Sequence, residues 1–527
     1  MKESNPKLQL FFYLLIVVLL LPALFVNLGL LPISGDEGTR ALVSLEMEYS
    51  GNLLTPTING DFYFNKPPLY NWILLGFYKL SNSHSEFIIR LPAVLSLLLF
   101  AFTIFLVLYK KYGNRAAFLS SMVFITCGRI LFYDSMNGYI DITFSWLVFM
   151  GFIAIFRFHK REQYLALFLV SYFICTLAFL MKGLPALLFQ GFALLAVFIS
   201  GGRFKKLFSL QHFAGLSLLL VIASGYYFLV FQQNPDMVYF STLFDESAKR
   251  TFVEYGFLKT VLHLFTFPVE QLYHLFPWSI LLIALFSRKV LAKIREDEFL
   301  RYLSLVFIFN IPVYWISVES YPRYIFSLYP ILILISVVAF IHFRNETYRL
   351  SSLIEKLLGL SLLLLIPLSL LFPGFYEFNI LSNPIKLALL GSVFIVIMLF
   401  AYYFLSGLRL EITIVSLLLF RIGFNLIALP ERHVDARTVM QKEQAEKVGE
   451  ISRGKGVFIA GLAACSHETS FYISKESGEI LLRELGEPRK GSYYIIADEN
   501  QIKEKEEIVF KFETRWQNTP LRLSMIK

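Results

Sequence analysis

Apolar stretches of about 18 or more residues recur from one end of this sequence to the other, a length that crosses a bilayer as helix. The first run, Leu8 to Ile33, is too long for a signal-peptide core and has no small-x-small cleavage site, so it reads as an uncleaved transmembrane helix. Across the 527 residues, 56% are hydrophobic and only 17% charged. That balance excludes a soluble enzyme with a single anchor and implies a polytopic helical membrane protein. Hydropathy predicts thirteen spans, near 8–31, 90–109, 116–133, 140–157, 164–181, 184–200, 212–231, 271–287, 302–318, 324–342, 353–372, 386–405 and 411–428.

The net charge of +9 is unevenly placed. From Glu431 onward there are 16 Lys/Arg and 16 Asp/Glu, which leaves 32 of the 48 bases against 23 of the 39 acids in the apolar part. The excess belongs to short loops between spans, which fits the positive-inside rule and not a nucleic-acid-binding patch. Lys110-Lys111 and Arg115, Arg157 to Arg161, Arg203 to Lys206, Arg288 to Arg301, and Arg344 to Arg349 all fall on one side, the cytoplasmic one. An odd number of spans then puts residues 431–527 outside, in the periplasm of a Gram-negative cell. Residues 1–430 form the membrane domain, with external loops at 34–89 and 232–270.

The first external loop holds "GTRALVSLEMEYSG", with helical spacing to Gly51, and "YNWILLGFYKL", eleven residues long and read as an interfacial helix. In the terminal segment, "ARTVMQKEQAEKVGEIS" predicts an amphipathic helix, and "GVFIAG", "SYYIIAD" and "EIVFKFE" predict strands. The expected fold is therefore all-α and polytopic, with a small carboxy-terminal α/β domain.

The chemistry-bearing residues gather on the external side. Asp36 and Glu37 stand where the first span ends; such acids cap a helix cheaply in water, and Asp36 also suits a general base. In "FNKPPLYNW", two prolines hold Lys66 at a rigid corner. Arg40, Lys182 and Arg323 join it on the side that positive-inside statistics disfavour, so an anionic ligand is expected, phosphate first. Asp134 and Asp141 flank the fourth span, and Asp141 enters apolar sequence, where an acid usually faces a polar cavity. The histidines show no HExxH spacing, Cys127, Cys175 and Cys465 no metal spacing, and neither a Walker A motif nor GxGxxG occurs.

The order of these blocks resembles the GT-C membrane glycosyltransferases, in particular the bacterial branch of lipid A aminoarabinose transferases and relatives of the protein O-mannosyltransferases. The likeness covers roughly residues 8–342 and rests on Asp36-Glu37, "NKPPLYNW", "RLPAVLSLLL", Asp141 in "GYIDITFSW", "MKGLPAL" and "YPRYIFSLYP". It implies a polyprenyl-phosphate-linked sugar donor, no nucleotide, and a lipid, glycan or protein acceptor at the outer face of the bacterial inner membrane. It implies Asp36 as base, Lys66, Lys182 and Tyr324 around the lipid phosphate, and Asp141 in the same cavity. Glu37 and Asp141 are grouped with Asp36 as catalytic acids, and Arg40 and Arg323 with the phosphate-binding cations. Thr39 stands where that branch carries Arg, and Asn65 where it carries a Glu of its metal seat, so no metal or other cofactor is expected. The competing reading is a flippase of polyprenyl-linked sugars; such transporters often carry internal repeats, and none is visible.

Overall fold

The computed structural model describes residues 5–233, 257–318, 321–371, 384–435, 437–498, 505–514 and 520–527. Most of the predicted loop 232–270 lies outside them. Among the described residues, nine helices are long and apolar enough to cross a membrane, and Pro185–Ser200 and Tyr329–His342 are shorter apolar helices. Glu86–Ile125 contains most of two predicted spans in one 40-residue element. Gly113 breaks it, at φ 78° and ψ 166°, a conformation open to glycine because it has no Cβ. The chain doubles back there, and the rings of Phe100 and Phe124 meet at 4.6 Å. Spans 90–109 and 116–133 are thus antiparallel neighbours. The span expected at 271–287 is not a continuous α-helix: Phe257–Leu275 ends before Pro277, and Trp278–Phe286 follows as 3₁₀ turns. A proline cannot donate to the preceding turn, and its ring disfavours helix at the residue before it.

The charged loops meet at one end of the bundle. Lys111 pairs with Asp297 at 2.6 Å, Arg115 with Glu411 at 3.0 Å, and Lys160 with Glu298 at 3.0 Å. The opposite end is covered by the first long loop and the carboxy-terminal segment. In the loop, helix Asp36–Ser50 stops at Gly51 in the left-handed region. A hairpin of β1 (Thr57–Ile58) and β2 (Asp61–Phe62) follows, then helix Leu69–Ser81. Buried Glu46 fastens the hairpin to the first helix, accepting from Thr57 Oγ1 at 2.7 Å and the Asn59 amide at 2.6 Å.

The carboxy-terminal segment holds helix Arg437–Ser452 and the predicted strands β3 (Val457–Ala460), β5 (Tyr493–Ala497) and β6 (Glu506–Phe512). It also holds β4 (Leu482–Glu484), β7 (Leu521–Ile526) and helix His467–Ser477, which the sequence reading passes over. The sheet order is β4-β3-β5-β7-β6, with β3 parallel to both neighbours and β7 antiparallel to both of its own. Its core is continuous with the loop. Ala41, Leu42 and Leu45 pack in one buried cluster with Val457, Phe471 and Tyr472.

Candidate active site

Asp36 opens its helix because Gly35, at φ 60° and ψ −131°, turns the chain sharply after the first spanning helix. Acids in a first helical turn are favoured by the exposed amide dipoles. The Asp36 side chain is 45% exposed and pairs with Arg323. Arg323 reaches on to Asp141, Nε to Oδ2 at 3.7 Å, and Asp141 pairs with Lys182. These last three side chains are only 12%, 4% and 8% exposed, so Asp36 is the open end of an alternating charged row. Aromatic faces floor the row. The Arg323 guanidinium lies 4.8 Å from the Tyr139 ring centre, and Lys182 Nζ lies 4.5 Å from that of Tyr324.

Lys66 stands beside this row. Burial, with Arg40 nearby, lowers its pKa to about 8, while Asp36 and Asp141 act the other way. Among the described residues it has no ion-pair partner. Arg40 is buried over the Tyr63 ring, at 5.1 Å, and donates to the Tyr63 hydroxyl at 2.5 Å and to Asn71 Oδ1 at 3.3 Å. Among the described residues, Arg40, Lys66, Lys182 and Arg323 make ion pairs only with Asp36 and Asp141, two acids against four cations. The wall therefore carries an excess of positive charge, the condition for holding a phosphate.

Glu37 occupies a different place from its neighbour. Its side chain is 0% exposed; it accepts from Arg90 Nη2 at 2.8 Å and Nε at 3.1 Å, and from the amides of Ser34 at 2.9 Å and Gly138 at 2.8 Å. Both its oxygens are engaged and its side chain is sealed from the Asp36 row, unlike the open place expected of a catalytic acid. Its contacts tie helix Asp36–Ser50 to the head of Glu86–Ile125 and to the turn before Asp141. Consecutive residues on an α-helix point about 100° apart, so the two acids cannot share one face.

Sequence reasoning missed three other groups. Arg90 stands in a block singled out for resemblance, but without a role. Arg129 pairs with Asp134 at 2.8 Å, and burial pushes that carboxyl up to about 7. His467 and Glu468 come from the carboxy-terminal helix. The Thr39 hydroxyl lies 2.8 Å from His467 Nδ1, and the Gly35 amide donates to Glu468 Oε1 at 2.6 Å. A Cβ on Gly38 would stand 2.6 Å from Glu468 Cγ, so this helix end abuts the turn that carries Asp36. No local pattern reports such a contact, because its partners are more than 400 residues apart. Among the described residues, no three His, Cys, Asp or Glu side chains come together as a metal seat.

Three comparisons bear on this arrangement. Residues 65–228 match the family described as dolichyl-phosphate-mannose-protein mannosyltransferase. A Proteus mirabilis protein named undecaprenyl phosphate-alpha-4-amino-4-deoxy-L-arabinose arabinosyl transferase 1 is 28% identical over 209 residues, 38% of this chain. An uncharacterized protein of Aquifex aeolicus is 24% identical over 330 residues, 62% of this chain. The chain aligns to 37% of the length of the Proteus protein and 63% of the Aquifex one. The crystal structure of ArnT from Cupriavidus metallidurans bound to undecaprenyl phosphate superposes with a TM-score of 0.70 at 19% identity, covering 97% of both chains. The fold is thus the GT-C fold of that structure, and the resemblance seen in the sequence recurs in all three comparisons.

Proposed function

We propose that this chain is a glycosyltransferase that moves a sugar from a polyprenyl-phosphate donor to a lipid, glycan or protein acceptor, on the outer face of the bacterial inner membrane. The single observation that carries the reading is Asp36, a half-exposed acid standing against a wall of four cations. Asp36 takes the proton of an acceptor hydroxyl or amine as that atom bonds to the sugar's anomeric carbon. The bond from that carbon to the phosphate oxygen breaks, and polyprenyl phosphate leaves with the electron pair. Lys66, Arg40, Lys182 and Arg323 stabilise the charge that develops on the leaving group. One displacement with no covalent sugar intermediate inverts the anomeric centre. Asp141 holds Lys182 and Arg323 in place. The reading places the membrane domain at 1–430 and a periplasmic domain at 431–527, whose His467 and Glu468 roof the site. The names of the Proteus protein and of the ligand-bound ArnT structure support the donor class.

The test is a purified, bilayer-reconstituted protein given undecaprenyl-phosphate-linked sugars and a membrane glycolipid extract. Release of undecaprenyl phosphate with one sugar gained by an acceptor is the expected result. Glycolipid and surface-glycan mass spectra that are identical with and without the gene, together with no release in vitro, would sink the proposal.

Lys66 supplies a pH signature. Its ammonium is the protonated, phosphate-binding form, and its pKa is lowered to about 8. Affinity for a polyprenyl phosphate should therefore hold below that value and decline as pH rises through it. Lys66→Ala removes a charge-assisted contact worth about 1.5–3 kcal/mol and should weaken binding some 10- to 100-fold. It should also flatten the pH profile between 7 and 9.5. Binding to the variant that matches wild type across this range excludes Lys66 from the phosphate site.

A further inference from the structure

A cavity of about 240 Å³ lies behind the Glu37–Arg90 pair, lined among others by Arg90, Arg421, Arg432, Asn27, Asn137 and Ser34. No carboxylate among the described residues lines it. Arg90 is already neutralised by Glu37, but Arg421 is not neutralised by any acid among the described residues. Arg421 is 1% exposed, and its guanidinium donates Nε to Ala23 O at 3.2 Å and Nη1 to Leu131 O. These carbonyls, near the ends of helices Pro6–Phe25 and Gly128–Phe132, orient the group without cancelling its charge, and among the described residues Nη2 has no hydrogen-bond partner. A buried, uncompensated guanidinium is costly unless an anion joins it.

The backbone around Arg421 points the same way. Directly after its helix, Phe424–Ala428 is a π-helix, a rare form that recurs at functional sites. Arg432 follows one turn beyond, its guanidinium 5.4 Å from the Phe424 ring centre. Two cations thus bracket the π-turn at the external end of a membrane span, the depth of lipid phosphates. The volume equals that of roughly eight waters at about 30 Å³ each, room for a phosphodiester and part of its headgroup. Phe132 and Tyr133 also line a neighbouring groove of about 480 Å³, walled by Phe276, Leu365, Leu368 and Leu417. Arg129 and His274 line it too, but its surface is mostly apolar and suits an acyl chain.

We infer that this cavity and groove form a binding site for an anionic membrane phospholipid, its phosphate between Arg421 and Arg432 and one acyl chain along Leu365, Leu368 and Leu417. The site is separate from the Asp36 row and does not depend on the transferase reading. Its occupant joins the first spanning helix to the last.

The full-length protein in detergent would be titrated with dioctanoyl-phosphatidylglycerol, dioctanoyl-phosphatidylcholine or inorganic phosphate, while thermal unfolding is followed. Phosphatidylglycerol should raise the midpoint saturably in wild type and equally in Lys66→Ala, whose lesion lies in the other site. Phosphatidylcholine and inorganic phosphate should raise it far less. In Arg432→Gln, an exposed position that folding tolerates, half-saturation should need at least about tenfold more lipid, the loss expected for one charge-assisted contact. Arg421→Gln should abolish the response. An unchanged titration in Arg432→Gln overturns the site, as does an equal response to both lipids. A response to inorganic phosphate matching that to phosphatidylglycerol overturns the lipid as occupant. Loss of the response in Lys66→Ala would assign it to the Asp36 site instead.

Discussion

Asp36→Asn should slow sugar transfer by about 10²–10⁴-fold, the usual contribution of a general base. The substitution keeps the shape of the side chain, and the amide oxygen can still accept from Arg323, which pairs with Asp36 in the resting protein. What it removes is the carboxylate that would accept the acceptor's proton. Because Asp36 is 45% exposed, its pair with Arg323 contributes little to folding, and the thermal midpoint should stay close to that of wild type. The measurement is single-turnover release of polyprenyl phosphate by purified variant and wild type under saturating donor. Turnover near the wild-type rate would show that another group is the base.

Glu37→Ala should act in the opposite way, on folding before chemistry. The side chains of Glu37 and Arg90 are 0% and 4% exposed, and removing one partner of such a pair strands the other as a buried charge. Losses of this kind run to about 3–5 kcal/mol. The amides of Ser34 and Gly138 lose their acceptor at the same time. The expected readout is a large drop in thermal midpoint, or failure to obtain monodisperse protein. Glu37→Gln, which keeps shape and one acceptor oxygen, should recover part of the stability. A Glu37→Ala protein as stable as wild type but inactive would return Glu37 to the catalytic group.

Sequence and structure divide the account of this molecule in a way that follows the range of each interaction. The spanning helices were legible because their cause is local: some twenty consecutive apolar residues must satisfy their own backbone in a bilayer. The reading of two spans, 90–109 and 116–133, holds because Lys110, Lys111 and Arg115 interrupt the apolar run just where Gly113 reverses it. The helices around Asp36 and Leu69 were legible for the same reason, each carrying its own stop signal or apolar stripe. Helix His467–Ser477 was not, because "HETSFYISKES" has little apolar periodicity of its own and is held by burial against the Asp36 helix. The candidate residues could be picked out by type, since acids and cations stand out at the edges of apolar runs. Their partnerships could not. That Arg323 joins Asp36 to Asp141 depends on the packing of segments almost three hundred residues apart. That Glu37 is sealed while Asp36 stays open depends on which helix face meets Arg90 and Gly138. A charge can be read from one residue, but whether it is spent on a neighbour or left for a ligand is decided by the distances that packing sets.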